Sequence, residues 1–408
     1  MRFPALQSRS FCLYEGGSVF ALNGQWITRI VVGWVGWELT GSATWVGLLS
    51  FFLFAPTIVT SPFFGVLVDR VHLKPTILVS QGIVTLATLS LYLLYLADML
   101  TIGSLSVVSL VIGIAGSAER AVRVTIVPRM VEMSALVNAV GIHATNFNLA
   151  RLIGPAVGGI LIERLGSGPT MLINFLVLVP FLVAVMFLKV DERERAKEGR
   201  KNFLADFTEG ARAAASHPVI REAIVLTCIT SLTVRGVLEI LPVLADGEFH
   251  RGPEGLGQMV AAGGAGALVS ALVVAIRYGR KRPGIPLIGQ IAVFIGTLSV
   301  AALGIVTSWP LAMLFVTLCG YSGTMIGINM QTTIQLTVED SVRGRVMSLW
   351  MVAGIGFSAL GALLLGFLAD LFGLPATLIG CGLASFALCA AFRLANAPSV
   401  ARLERAGE

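Results

Sequence analysis

Five ionisable side chains, Glu15, Arg29, Arg151, Arg235 and Glu239, fall inside stretches that are otherwise almost wholly apolar. A charge near the centre of a membrane helix costs about 2.5–3.5 kcal/mol on insertion scales, so each is a functional candidate by default. The guanidinium groups suit anion binding, and the carboxylates of Glu15 and Glu239 suit carriage of a proton. Blander fates stand beside these. Arg235 and Glu239, four apart, can neutralise each other, although this order is the less favourable one on a helix. Arg29 can snorkel to headgroups or pair with Glu239 as an outer gate. Glu15 lies about one turn inside the boundary, where interfacial water can solvate it, and Arg151 can tie its helix to a neighbour. His143, near Asn146 and Asn148, reads first as a hydrogen-bonded packing residue and second as a proton relay. Asn329, Gln331 and Gln335 line a cavity or bridge helices. Trp26, Trp34, Trp37 and Trp45 cluster where an interfacial aromatic belt is expected, with Trp26 deep enough to stack on a bound ring.

The elements that must position these groups are helices. Hydropathy gives twelve spans: 10–37, 44–68, 75–97, 102–125, 138–162, 168–189, 220–245, 254–276, 285–306, 310–333, 346–369 and 375–394. Each meets the roughly 20 residues that a hydrocarbon core requires. Lys and Arg alternate between the intervening segments. With the N-terminus inside, and charges at span ends such as Arg120, Arg123, Lys189, Arg221 and Arg393 counted with the face they adjoin, the cytoplasmic side holds 24 of 29, outer loops hold two (Arg164, Arg251) and span interiors three, whereas the 23 acidic residues divide 14 inside, seven outside and two in span interiors. Positive charge alone resists translocation, so this pattern places both termini in the cytoplasm. The expectation is an all-α, multi-pass protein of a bacterial inner membrane. The apolar run after Arg2 and Arg9 resembles a signal peptide but continues past Glu15 to about Trp37, and reads as a retained first helix.

Composition excludes several classes. Of 408 residues 56% are hydrophobic and 13% charged, against about 25% charged in a soluble domain. The net charge of +6 is dispersed through cytoplasmic loops, which topology explains without a nucleic-acid partner. Five cysteines lack paired spacing, so neither a disulfide nor a metal site is expected, and no cofactor is implied. The four histidines are scattered over both faces and the interior, against a membrane hydrolase or transferase, and no G-x4-GK-[ST] signature offers ATP as the energy source.

The chain divides as 1–190, a six-helix bundle; 191–218, a polar cytoplasmic linker with the amphipathic run FLADFTEGARAAA; and 219–408, a second bundle with a short tail. A shift of 207 lays Gly116, Glu132, Gly154, Gly159 and Gly166 on Gly323, Glu339, Gly361, Gly366 and Gly373, and Glu163 on Asp370. Parallel six-span repeats with a site near the bilayer midplane describe one class of secondary transporter. Arg29 and Arg235, 206 apart, then occupy matching positions in the two halves.

Gly65, Asp69, Arg70 and Lys74 in GVLVDRVHLKP fall in the loop between spans two and three. Here the chain resembles the major facilitator superfamily, whose Gly-x-x-x-Asp-Arg motif acts as a cytoplasmic latch. His72 and Leu73 depart from the usual glycine and arginine. Glu119, Arg120 and Arg123, at the inner end of span four, are the expected latch partners. In span five, Gly141 and Gly154-Pro155-Ala-Val-Gly158-Gly159 are similar to the exporter motif of that superfamily, with Ala150 replacing one glycine. WELTGS, NLARLIGPAVGG and VRGRVMSL resemble the branch of siderophore exporters and macrolide efflux pumps. Residues 102–112 lack the arginine that many proton-coupled drug exporters carry.

The resemblance implies a functional monomer without enzymatic activity that moves a small molecule by alternating access. It also implies that the first helix of each half lines the cavity, making Arg29, Arg235, Glu239, Arg151, Trp26 and Asn329 the candidate substrate residues. Paired cations would suit an anionic or polyphenolic substrate. The coupling ion is expected to be a proton, held by Glu15 or Glu239. Export is favoured by the span-five motif; import of a small organic anion on the same fold is the alternative.

Overall fold

The computed structural model describes residues 4–58, 60, 72–188, 203–277 and 284–406. Among them every regular element is helical. In chain order these are α1 (Arg9–Thr40), α2 (Ala43–Phe54), α3 (Leu73–Leu96), α4 (Ile102–Ile126), α5 (Leu136–Leu165), α6 (Ser167–Met186) and α7 (Phe203–Ser216). There follow α8 (Pro218–Thr230), the four-residue α9 (Gly236–Glu239), α10 (Gly252–Arg277), α11 (Leu287–Leu303), α12 (Trp309–Thr337), α13 (Asp340–Phe372) and α14 (Leu374–Ala406).

Among the described residues, seven helical stretches are long and apolar enough to cross a bilayer: Leu73–Leu96, Ile102–Arg120, Ser167–Met186, Gly252–Ile276, Trp309–Thr337, Val342–Phe372 and Leu374–Asn396. Two shorter apolar helices are Ala43–Ile58 and Leu287–Leu303. The remaining expected spans are those that carry charge or are interrupted. Helix α1 holds Glu15, Arg29 and Glu38, and α5 holds Arg151, Glu163 and Arg164, which lowers the hydropathy of both. The stretch read as one span over 220–245 is broken: α8 gives way to a π-helical turn over Ser231–Arg235, then α9, then a second π segment at Val243–Glu248. Pro242 accounts for part of this, because it lacks an N–H and its ring clashes with the carbonyl four residues back.

Local signals set the ends. Ser8 caps α1 by accepting from the Phe11 N–H, and Gly41 closes it at φ +57°. Gly166 and Gly373 turn the chain between consecutive helices at φ +85° and +83°, with extended ψ, a combination that only glycine adopts without strain.

Two compact units emerge. The first comprises Met1–Gly41, Phe52–Lys197 and Ala245–Ala261; the second comprises Ser42–Phe51, Glu198–Leu244 and Ala262–Glu408. Within the first, α1 packs on α5 and α6, and α3 on α4 and α6. Phe11, Tyr14, Ile77, Val122, Ile126, Phe181 and Val185 form its buried cluster. Within the second, α11 packs on α12 and α14, and Leu226, Val293, Met330, Ile334, Val346 and Cys389 are buried together. The amphipathic α7 lies along α13, where Arg345 Nη1 pairs with Glu209 Oε1 at 2.6 Å. Large exposed apolar side chains such as Leu86, Val107, Ile276 and Phe372 are what a lipid-facing surface requires.

Candidate functional site

In the first unit, Trp26 and Arg29 stand one turn apart on α1. Arg29 Cζ lies 5.0 Å from the Trp26 ring centroid and 5.1 Å from that of Phe54. Arg151, on α5, reaches the same indole at 6.0 Å, and Phe147, one turn before it, lies 6.4 Å from Trp26. Three sequence-predicted residues thus meet: one indole faces two guanidinium groups. Such contacts are each worth roughly 0.5–2 kcal/mol. All three side chains are half-buried. Gly154 makes the meeting possible, since a Cβ there would sit 2.8 Å from Trp26 Cβ and 3.1 Å from the Asn23 carbonyl oxygen. Gly158, one turn on, faces Ile27 and Ile30. Gly159 faces α10 instead, where a Cβ would meet the Pro253 carbonyl at 2.5 Å. Pro155 is buried inside α5, and Gly141 has open space around it.

Glu15 is buried on α1, and both its oxygens meet side chains of α5. Asn146 Nδ2 donates to Oε1 at 2.6 Å, and His143 Nδ1 lies 3.0 Å from Oε2. The His143 side chain keeps 25% exposure against 8% for Glu15. The Tyr14 ring packs between His143 and Phe181, with centroids 6.3 and 5.6 Å away.

One layer further along α4, Arg123 Nε donates to Glu119 Oε1 at 2.7 Å, and both side chains are buried. Gln25 Nε2 donates to both Glu119 oxygens at 3.2 and 3.3 Å, and Arg123 Nη1 to Ser18 Oγ at 3.4 Å. The Gln81 amide, oriented as its neighbours require, adds bonds of 3.0 and 3.1 Å to Glu119. Arg120 donates to Thr57. Lys74 Nζ caps the end of α6, donating to the carbonyls of Met186 and Leu188 at 2.7 and 3.0 Å. The other loop residues expected in the latch, Gly65, Asp69 and Arg70, lie outside the described residues.

In the second unit, Arg235 ends the π-helical turn and donates from Nη2 to the Gly323 carbonyl at 3.2 Å. Gly327 leaves it room, since a Cβ there would lie 2.9 Å from Nη2. Glu239 follows four residues on, at the end of α9, and interacts electrostatically with Arg235. A π-helical turn at such a residue is often found at functional sites. Asn329 is buried, donates to the Met325 carbonyl at 2.8 Å and packs on Gly289. That geometry bridges α12 to α11.

Sequence reasoning did not single out Asp370. Its carboxylate holds the start of α2, accepting from Ala43 N at 2.8 Å, Thr44 N at 2.9 Å and Ser42 Oγ at 2.6 Å. Gly366 and Gly47 allow this approach, since Cβ atoms there would lie 2.3 Å from the carbonyls of Ala43 and Ala362. The coincidence of Asp370 with Glu163 under the 207-residue shift was the available signal. In the first unit Glu163 lies beside Gly252, the first residue of α10. Among the described residues no cluster of three or more His, Cys, Asp or Glu is placed to hold a metal.

The profile of the family described as "Transmembrane secretion effector" matches residues 3–406. The staphyloferrin A transporter of Staphylococcus aureus is 22% identical, over 96% of this chain and 97% of its own length. The enterobactin exporter EntS of Citrobacter koseri is 27% identical, over 80% of this chain and 74% of its own. Among solved structures, the nucleoside transporter NupG superposes with a TM-score of 0.76 at 12% identity, covering 95% of this chain and 98% of that one. A POT family transporter in complex with 5-aminolevulinic acid gives 0.74 at 13% identity, covering 96% and 97%.

Proposed function

The chain belongs to the transmembrane secretion effector family of major facilitator transporters, and on that premise we propose that it is a proton-coupled exporter of a small, anionic organic molecule. Two curated relatives, a staphyloferrin A transporter and an enterobactin exporter, support a siderophore-like or drug-like substrate. In this reading the chain crosses a bacterial inner membrane twelve times with both ends inside. Residues 1–190 and 219–408 form two six-helix bundles joined by the cytoplasmic segment 191–218. Gly166 and Gly373, 207 apart and alike in backbone conformation, support the repeat. The protein works as a monomer by alternating access and takes no cofactor. Asp69, Arg70 and Lys74 form the cytoplasmic latch, with Glu119 and Arg123 behind it.

The observation that carries the substrate reading is the Trp26 indole faced by Arg29 and Arg151. Cations and an aromatic face together recognise a planar anion, by charge and by stacking. Arg235, one residue short of the repeat shift from Arg29, is the corresponding cation of the second half. The deciding experiment is accumulation of a compound panel, siderophores and macrolides first, in cells lacking the gene and complemented with it. Lower accumulation on complementation, lost again in an Arg29→Gln/Arg151→Gln variant that still inserts, is the expected result. Higher accumulation on complementation assigns import, and an unaltered double variant removes the arginines from the site.

A further inference from the structure

We propose that Glu15 and His143 form a proton-binding site in the first unit, loaded as an imidazolium–carboxylate pair and held in register by Asn146. The inference rests on the transporter reading only for the proton's purpose, which is coupling; the site stands on geometry.

Three facts converge on it. The Glu15 carboxylate is buried in a membrane helix, and each oxygen has its own partner on α5, Asn146 at 2.6 Å and His143 at 3.0 Å. The His143 contact runs through Nδ1, which leaves Nε2 as the second nitrogen available to a proton. The imidazole is also the more accessible partner, at 25% exposure against 8%. In the unloaded state a neutral imidazole donates its Nδ1–H to the carboxylate, and the pair carries one negative charge. A proton arriving at the Nε2 lone pair makes an imidazolium; no other bond breaks, and the pair becomes neutral overall. Loading therefore cancels the net charge of a buried pair.

Among the described residues, His143 and Asn146 are the side chains that hydrogen-bond the Glu15 carboxylate. From α1, Tyr14 faces the histidine through its ring. From α4, Arg123 lies close enough to interact electrostatically with Glu15, but it is tied to Glu119, and Arg120 is turned to Thr57 and Glu119. From α3 comes the neutral Gln81, spent on Glu119. From α6, Phe181 packs against Tyr14. The nearest ion pair is therefore complete without Glu15, and His143 is the group that answers its charge.

The probe is the proton itself. The chain holds four histidines, His72, His143, His217 and His250. A His72→Gln/His217→Gln/His250→Gln variant in lipid nanodiscs, labelled with 15N-histidine, leaves His143 as the sole imidazole signal with its site untouched. Expected is one conversion of neutral imidazole to imidazolium on acidification, whose midpoint Glu15→Gln displaces and Glu15→Asp largely restores. Nitrogen shifts that stay those of neutral imidazole throughout overturn the proposal, as does a midpoint unmoved by Glu15→Gln. A chain that exports compounds of the panel without a His143 titration sinks this inference alone; a titrating His143 in a chain that moves none of them sinks the function and leaves the site.

Discussion

At the scale of the residue, the substrate reading turns on Trp26 and the two arginines that face it. If a planar anion stacks there, Trp26→Phe keeps a face and loses little, whereas Trp26→Ala removes it. A hydrogen bond to a charged group is worth about 1.5–3 kcal/mol, so Arg151→Gln, which removes the cation offered to the anion, should raise the half-saturating concentration roughly 10- to 200-fold. Arg151→Lys should recover only part, because an ammonium keeps the charge and loses the planar fork. Equal transport by Trp26→Ala and wild type, measured in vesicles at matched protein, would remove the indole from the site. The candidates themselves were legible in the sequence, since Arg29 and Arg151 are charges in apolar runs. Their meeting on one indole was not, because it depends on the register of α5 against α1. His143 was read as packing for the same reason: its partner lies 128 positions away in sequence, and nothing local announces it.

At the scale of the element, the span-five glycines separate motif from mechanics. A Cβ at Gly154 would lie 2.8 Å from Trp26 Cβ and one at Gly159 2.5 Å from the Pro253 carbonyl oxygen, both inside van der Waals contact, whereas Gly141 faces open space. Gly154→Ala and Gly159→Ala should therefore overpack and cost about 1–3 kcal/mol. Gly141→Ala should be neutral or stabilising by up to about 1 kcal/mol, from helix propensity. Thermal unfolding in detergent checks all three, and an equal loss at Gly141 would defeat the steric account. Asp370 makes a second case. It satisfies two of the amide donors that open α2, so Asp370→Ala should lower stability by an amount of the order of a lost helix cap, about 0.5–2 kcal/mol. Asp370→Asn, which keeps one acceptor oxygen, should lose less. Helix positions were largely legible from hydropathy and glycine ends. The end of α9 was not read, although Pro242 stood three residues beyond it, because an apolar run of span length concealed it.

At the scale of the whole molecule, the proposed threading rests on charge bias. Hydropathy alone cannot orient a span, and α1, α5 and the broken 218–248 region would each be doubtful by apolarity. Lys and Arg argue for even parity, because 24 of 29 fall on one side when the proposed twelve crossings are counted and two on the other. Removing either crossing between them, 220–245 or 254–276, would move the block 277–282, with Arg277, Arg280, Lys281 and Arg282, to the opposite face from Arg193, Arg195, Lys197, Arg200 and Lys201. Reporter fusions test this directly. A tag that is active only inside the cell should report from segment 191–202 and from 278–283, and stay silent at Asp98–Thr101 and at Phe249–Arg251. The cytoplasmic cluster at 191–202 placed outside, or the two basic blocks placed on opposite sides, would leave an odd number of crossings between them. Two like-oriented six-span halves could not then exist, and alternation of a shared site between the two faces would lose its structural basis.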